Sequence, residues 1–315
     1  MKGWKDKHWQ LPLLFLLLQP FVPISEKFLI GHFDNFSQNF FRFLAGSVAM
    51  LALYLIFKDK ESKQEDRPPL QLWLVALLVV DVVLVKVCFL EGLVRSTATT
   101  AKVFSLLSIP FTIVLAVLLF HDEREMIANR RFFVGTLLAV VGAFGMVLCE
   151  GGFDLEYSST AGYFFLAMIF SSLFYLISKR LVKTSQPLLV GLITTIGACV
   201  LFFIGAVIWG DLGKIFQVHL TTQLVLFGSG AYGLAIGMGL GLLIVKRFGV
   251  VLVTLLTLAT PSLVAVFEYL LLGEALTVDQ IGFGAAAVLG SFIVLWSKEN
   301  GQREIVPVSP ETLDL

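Results

Sequence analysis

Ionisable side chains lie inside the long apolar runs of this 315-residue chain, where a charged group is costly. They are Glu26, Lys27, Arg42, Asp81, Lys86, Lys102 and Glu268, with Glu91 at the end of one run. Such residues either serve a substrate or proton pathway or form ion pairs that hold helices together. We predict an ion pair between Arg42 and Glu91, and substrate binding by five others: Lys27, Asp81, Lys86, Lys102 and Glu268. Cationic and acidic residues are balanced in the set, which favours a zwitterion such as an amino acid.

No catalytic, metal-binding or cofactor-binding motif accompanies these charges. The four histidines lie in loops or at the ends of apolar runs, and no phosphate-binding Gly-x4-Gly-Lys-Ser/Thr loop is present. The three cysteines have no partner at metal-ligand spacing, and a net charge of zero gives no footprint for nucleic acid. We therefore expect no catalytic residue, no metal, no cofactor and no nucleic acid. The expected partners are a small-molecule substrate and the lipid bilayer, and the oligomeric state stays open, a homodimer included.

The elements that position the charges are membrane-spanning helices. The composition is 57% hydrophobic and 15% charged, with a mean hydropathy of +0.88, whereas soluble domains carry roughly 25% charged residues. Apolar segments near the length of a membrane span recur at 11–31, 36–57, 70–91, 96–120, 131–149, 160–181, 187–209, 222–245, 249–272 and 279–297. We read the first as a retained span rather than a signal peptide. A tail at 1–10 precedes it, and we expect 298–315 to be a disordered cytosolic tail.

The basic residues of the loops predict the orientation. Loops on the side of the N-terminal tail carry nearly all of the loop Lys and Arg, and the opposite loops carry only Arg95 and Lys214. Positive charge marks the cytoplasmic side. We therefore predict ten spans with both termini in the cytosol, in a multi-pass protein of the plasma membrane, the bacterial inner membrane.

A repeat relates the two halves of the chain. Pro110 is followed 13 residues later by Glu123, and Pro261 is followed at the same distance by Glu274. The offset of 151 residues carries span four onto span nine. Because a unit of five spans is odd, the second copy must face the opposite way across the membrane. The fold class is thus an all-α membrane protein of two inverted five-helix repeats, 11–150 and 151–297.

The repeat also assigns roles to individual residues. Pro110 and Pro261 remove a backbone hydrogen bond and should bend spans four and nine. Glu123 and Glu274 lie at span ends, where we expect caps or ion pairs. The offset pairs Asp81 with Tyr232, which we add to the predicted substrate-binding residues, and Tyr175 and Phe104 are further candidates for cavity lining.

These features resemble the EamA-type drug/metabolite transporters. The resemblance rests on the duplicated Pro-x12-Glu block with Leu271-Leu272-Gly273-Glu274, on Val134-Gly135 and Ile281-Gly282 in the spans that follow, and on Arg42-Phe43 opening span two. The resemblance implies a central cavity between the halves and export or exchange of metabolites. Span one departs from the family pattern at Gln19-Pro20.

We expect a secondary transporter that moves a small polar or zwitterionic, amino-acid-like metabolite by alternating access. The alternatives are an exporter of cationic drugs or nucleotide-like metabolites and, from other classes, a membrane channel or an integral-membrane enzyme. A channel would lack saturation and counterflow, and an enzyme would need a catalytic constellation, which the sequence does not show.

Overall fold

The computed structural model describes residues 10–61, 71–94, 112, 115–116, 118–120, 130–149, 159–257, 260, 263 and 278–304. In these ranges the chain is helical, with short connecting turns and no strand. The α-helices are α1 (Gln10–Leu18), α2 (Phe21–Ile30), α3 (Asn35–Glu61), α4 (Leu72–Val94), α5 (Arg130–Cys149), α6 (Ser159–Thr184), α7 (Pro187–Trp209), α8 (Leu220–Gly230), α9 (Gly239–Phe248), α10 (Val250–Thr257) and α11 (Val278–Glu304). A 3-10 helix covers Leu212–Phe216, and a π-helix, Ala231–Met238, joins α8 to α9.

Five stretches of the described residues are long and apolar enough to cross a membrane. They are Asn35–Phe57, Leu72–Gly92, Phe165–Thr184, Pro187–Trp209 and Leu220–Phe248. The apolar character continues around the outside of the bundle. On α7, for example, Val200, Ile204 and Val207 are exposed. A helix that is apolar all round is typical of a membrane span.

The helices follow the predicted segments closely. We number the spans accordingly: α1 with α2 is span one, α3 is span two, α4 is span three, α5 to α7 are spans five to seven, the stretch from α8 to α9 is span eight, α10 begins span nine and α11 is span ten. The larger differences are in three spans. Span one is broken into two short helices, α3 continues to Glu61, beyond the predicted end at 57, and α11 continues to Glu304, beyond the predicted end at 297.

Spans two and seven pack against each other in opposite directions. Phe36, near the start of α3, stacks on Trp209 at the end of α7, with ring centroids 5.4 Å apart. Further along α3, Phe43 stacks on Phe202 at 5.1 Å. Still further along α3, the Met50 side chain lies against Gly191, near the start of α7. As the residue number rises in one helix it falls in the other, so the two helices are antiparallel.

Spans five and ten are also antiparallel, and their crossing has a local twofold symmetry. A Cβ built on Gly142 would lie 2.3 Å from the Ala287 N and 2.6 Å from the Phe283 O. A Cβ built on Gly290 would lie 2.3 Å from the Ala139 N and 2.6 Å from the Gly135 O. Small residues let helix backbones approach this closely. Each glycine thus meets the other helix in the same way, at an antiparallel crossing.

A second matched contact joins the two halves of the chain. A Cβ on Gly46 of α3 would lie 3.1 Å from the Gly230 O of α8. Gly197 of α7 is its counterpart 151 residues later, and a Cβ built there would lie 2.7 Å from the Val79 Cγ2 of α4. Val79 is itself the counterpart of Gly230 at the same offset. The packing of span two on span eight is therefore repeated by span seven on span three.

Candidate functional site

The site begins at the break in span one. Pro20 and Pro23 have no N–H, so the carbonyls of Leu16 and Gln19 lose their usual helical donors. Val22 N donates to the Gln19 O at 3.3 Å instead of to Leu18 O. The freed Leu18 O accepts a hydrogen bond from the Tyr232 hydroxyl of span eight. An interruption of the helical hydrogen bonds inside a membrane is tolerated where the freed groups are buried in protein or line a cavity, and Gln19 does line one.

Span eight faces this break with its π-helix. The π-helix, Ala231–Met238, contains Gly233 and Gly237, and both line the cavity together with Gly241 of α9. In the sequence these glycines follow Ser229 at four-residue spacing. The close contact with span two is made by Gly230, where a Cβ would lie 2.3 Å from the Arg42 O. Single π turns within α-helices are frequent at functional sites.

A cavity of about 240 Å³ lies between spans one, two, three, six and eight. Its wall is mainly apolar and aromatic, with Phe15, Phe43, Phe174 and Leu242 among the lining residues. The polar groups that line it are Gln19 of span one, Lys86 of span three, and Ser171 and Tyr175 of span six. Both halves of the chain thus contribute to one largely apolar cavity with few polar groups, which is the usual composition of a small-molecule site.

Lys86 connects the cavity to a buried cluster of charges. The Glu26 Oε1 accepts from the Arg42 Nη1 at 2.5 Å and from the Lys86 Nζ at 2.7 Å. The side chains of Glu26 and Arg42 are only 3–4% exposed, whereas that of Lys86 is 23% exposed. The cluster therefore has one carboxylate and two cations, and the more accessible cation is the one on the cavity wall.

The observed partner of Arg42 differs from the predicted one. The structure pairs Arg42 with Glu26 of span one, while Glu91 accepts a hydrogen bond from the Asn35 Nδ2 at 3.3 Å. The physical reason is the break in span one, which resets the rotation of α2 and turns Glu26 into the bundle. The sequence favoured Glu91 because spans two and three are neighbours in the chain.

Hydrogen bonds around Asp34 also join the two halves of the chain. Asp34 precedes α3, and its carboxylate accepts from the backbone N–H of Ser37 at 2.9 Å and of Asp211 at 3.0 Å. A Cβ on Gly210 would lie 2.6 Å from the Ser37 Oγ, so glycine is needed there. Burial raises the pKa of Asp34, but the hydrogen bonds from Ser37 and Asp211 outweigh that effect and hold the pKa below its ordinary value.

Comparison with known proteins gives this architecture a family. The model of the EamA-like transporter family matches the chain twice, over residues 13–148 and 158–296. The chain belongs to the EamA-like transporter family. An uncharacterized transporter of Haemophilus influenzae (strain ATCC 51907 / DSM 11121 / KW20 / Rd) is 27% identical over 278 residues, which cover 86% of this chain and 91% of the relative. A solved crystal structure matches with a TM-score of 0.75 at 14% identity, over 93% of this chain and 99% of the other. That last similarity concerns the fold.

Two predicted substrate-binding residues of this EamA-like protein lie next to the cavity rather than on its wall. Asp81 is 4% exposed, and its Oδ2 has no hydrogen-bond partner among the described residues. Tyr232 holds the broken end of α1 through its hydroxyl, and its ring meets Phe21 edge-on at 6.5 Å. Lys86 does line the cavity. Binding of substrate by any of the three stays a prediction.

Several predicted residues lie outside the described part of the chain. These are Lys102, Glu123, Glu268 and Glu274, with the helix-bending Pro110 and Pro261. Lys27 lies in α2, and its side chain is also outside the described set. The cavity adds Phe15, Gln19 and Ser171, which were not among the residues predicted to bind substrate. For Gln19, the departure from the family pattern at Gln19-Pro20 was the available signal.

Proposed function

We propose that this EamA-like protein is a secondary transporter that moves a small polar or zwitterionic, amino-acid-like metabolite across the plasma membrane by alternating access. The observation that carries the proposal is the cavity between the halves, with Lys86 and Gln19 on an otherwise apolar wall. An ionisable group beside a cavity at membrane depth is the usual mark of a substrate pathway. Membership of a transporter family agrees with it.

The helix directions support an inverted-repeat mechanism. Spans two and seven are five apart in the chain and pack antiparallel, as do spans five and ten. Transporters with inverted repeats bind substrate at the repeat interface, beside discontinuous helices, and expose the site by rocking one repeat against the other. The break at Gln19-Pro20 provides such a helix at the cavity wall. The distribution of loop Lys and Arg supports ten spans with cytosolic termini.

The test is transport by purified protein in liposomes. A screen against amino acids, nucleosides and quaternary cations should reveal one class whose uptake saturates and shows counterflow, which separates a carrier from a channel. Uptake that rises linearly with concentration and shows no counterflow would identify a channel and refute the proposal. Absence of flux for every class would refute it as well.

A matched pair of glycine variants checks that flux uses this cavity. Gly237 lines the cavity, and the nearest atom to a Cβ there is the Tyr232 O at 3.9 Å, so a side chain can be added. Gly228 lies in the same span with nothing within 4 Å of its Cβ position. Gly237→Phe should abolish counterflow, whereas Gly228→Phe should retain it. Equal flux through both variants would place the pathway elsewhere.

A further inference from the structure

The cluster at the cavity wall has more positive charge than its own acceptor can neutralise. Glu26 contributes one negative charge, and Arg42 and Lys86 contribute one positive charge each, both to the same oxygen, Oε1. The Arg42 Nε is also buried without an acceptor among the described residues. An uncompensated charge in apolar surroundings is costly, and it favours the arrival of an opposite charge. Among the described residues, the cluster thus lacks one anionic acceptor.

The geometry indicates where that acceptor arrives. Lys86 is the member of the cluster that lines the cavity, and its side chain is several times more exposed than those of Glu26 and Arg42. A lysine ammonium is a point charge on a flexible stem and can exchange partners without moving the helix that carries it. An anion entering the cavity therefore meets Lys86 first.

The charge and the wall define the class of anion. One excess positive charge matches a single carboxylate, whereas a nucleotide-like polyanion would reverse the imbalance. The rest of the wall, with Phe15, Phe174 and Leu242, suits an apolar body. Gln19 and Ser171 can accept hydrogen bonds from an ammonium group, so an amino acid can also bind through its carboxylate, although only a simple carboxylic acid changes the net charge of the cavity.

We propose that the cavity takes a monocarboxylate with a compact apolar body, whose carboxylate replaces Glu26 as the partner of Lys86 while Glu26 remains with Arg42. This inference rests on the proposed transport function and names its substrate class. With substrate bound, two carboxylates face two cations and the cluster is neutral. Glu26 acts in the empty protein as an internal competitor for the substrate site.

The exchange also loosens span one. In the empty protein Glu26 ties α2 both to α3 through Arg42 and to α4 through Lys86. When the substrate takes Lys86, the tie to α4 is released and the tie to α3 remains. Because α2 follows directly after the break at Gln19-Pro20, it can then move relative to α4 independently of α1. Substrate binding is thereby coupled to the position of α2.

The experiment measures binding to the full-length protein in detergent by ligand-induced thermal stabilisation. The probes are two matched sets: L-leucine, 4-methylpentanoate and 3-methylbutylamine, and L-phenylalanine, 3-phenylpropanoate and 2-phenylethylamine. Within each set the apolar body is nearly constant, and the charged group changes from zwitterion to anion to cation. We expect the acids and amino acids to bind and the amines to be rejected. Stronger binding of the amines, or binding by no probe, would overturn the proposal.

Three variants test the partner exchange. Lys86→Met should weaken binding of the acids about ten- to hundredfold, the loss expected for a hydrogen bond between two charged groups. Glu26→Gln should strengthen it several-fold by removing the competitor. Because Glu26→Gln leaves Arg42 unpaired, it can impair folding. The double variant Glu26→Gln with Arg42→Gln avoids this and keeps Lys86 as the one charged residue of the cluster. It should also bind acids more tightly than the wild type. Lys214→Met, in the 3-10 helix, is the matched loss of a lysine and should bind as the wild type does.

The outcomes separate this inference from the proposed function. Acid binding that is equal in the wild type and Lys86→Met, or weaker in both Glu26 variants, would overturn the exchange even if liposome counterflow is normal. Absence of counterflow for every solute class, with Lys86-dependent acid binding in detergent, would refute transport and leave the carboxylate site standing.

Discussion

The antiparallel crossing of spans five and ten allows a sharp prediction about stability. In Gly290→Ala the new methyl group would lie 2.3 Å from the Ala139 N, 2.6 Å from the Gly135 O and 2.8 Å from the Ala139 Cα. All three are backbone atoms, so no side-chain rotation relieves the contact. Ordinary contact begins at 3.4 Å, so the helices must separate by about 1 Å, and overpacking of this kind costs about 1–3 kcal/mol.

The twofold symmetry of the crossing predicts equal costs for the two equivalent glycine substitutions. Gly142→Ala meets the Ala287 N, Phe283 O and Ala287 Cα at the same 2.3, 2.6 and 2.8 Å, so it should cost the same. The double variant should cost less than the sum, because one separation of the helices accommodates both methyl groups. Thermal unfolding in detergent, followed by intrinsic tryptophan fluorescence, should show a loss of a few degrees for each single variant.

The control lies in the same helix. Gly282 of α11 has nothing within 4 Å of its Cβ position. Gly282→Ala should therefore be neutral or stabilising by up to about 1 kcal/mol, the usual effect of replacing a helical glycine by alanine. If Gly290→Ala and Gly282→Ala unfold at the same temperature, the reasoning about the crossing is wrong.

Three further predictions concern topology, pH and chemistry. A cysteine placed at Thr221 should react with an impermeant reagent in intact cells and one at Lys63 should not; the reverse pattern would invert the proposed orientation. Because the pKa of Asp34 is lower in the folded protein than in the unfolded chain, its ionised carboxylate stabilises the fold at pH values above the ordinary carboxylate pKa. This contribution should fade as the pH falls below about 4. Thermal unfolding of Asp34→Asn, which loses the ionised acceptor of the Asp211 N–H, should lack that part of the pH dependence. Asp81→Asn should reduce counterflow far more than the yield of folded protein, and a parallel fall in both would make Asp81 a structural residue.

The helices could be predicted from the sequence because each depends on a local property. Uninterrupted apolar runs fix where a span begins and ends, and α7 coincides with the predicted 187–209 segment. The prolines at 20 and 23 are typical of an interrupted helix, and the structure shows two helices separated by a turn at Gln19–Pro20. The family was also accessible, since the duplicated Pro-x12-Glu spacing is a property of the sequence alone, and the family match confirms it.

The partners of the charges could not be predicted in the same way. Whether Glu26 meets Arg42 depends on the rotation of α2 after the break, which is set by how the whole bundle packs. The π-helix at 231–238 has no distinctive residue composition, so the sequence does not predict it. Four-residue spacing alone also does not say which glycine of span eight meets span two, and in the structure it is Gly230.

The break in span one has no counterpart in the second half of the chain. At the offset of 151, Gln19 and Pro20 correspond to Phe170 and Ser171, and α6 runs unbroken through both. A transporter whose halves exchange shapes during its cycle has equivalent end states only if each half can adopt the shape of the other. Under the proposed alternating access, Pro20 of the first half corresponds to Ser171 of the second, so we expect the two end states to have unequal energies. We expect different apparent substrate affinities on the two faces of the membrane, balanced by opposite differences in maximal velocity, since the gradient alone sets the equilibrium. At low substrate concentration such a carrier moves solute equally fast from either face, whereas near saturation its rate depends on which face is loaded, and this asymmetry originates in the sequence of a single helix.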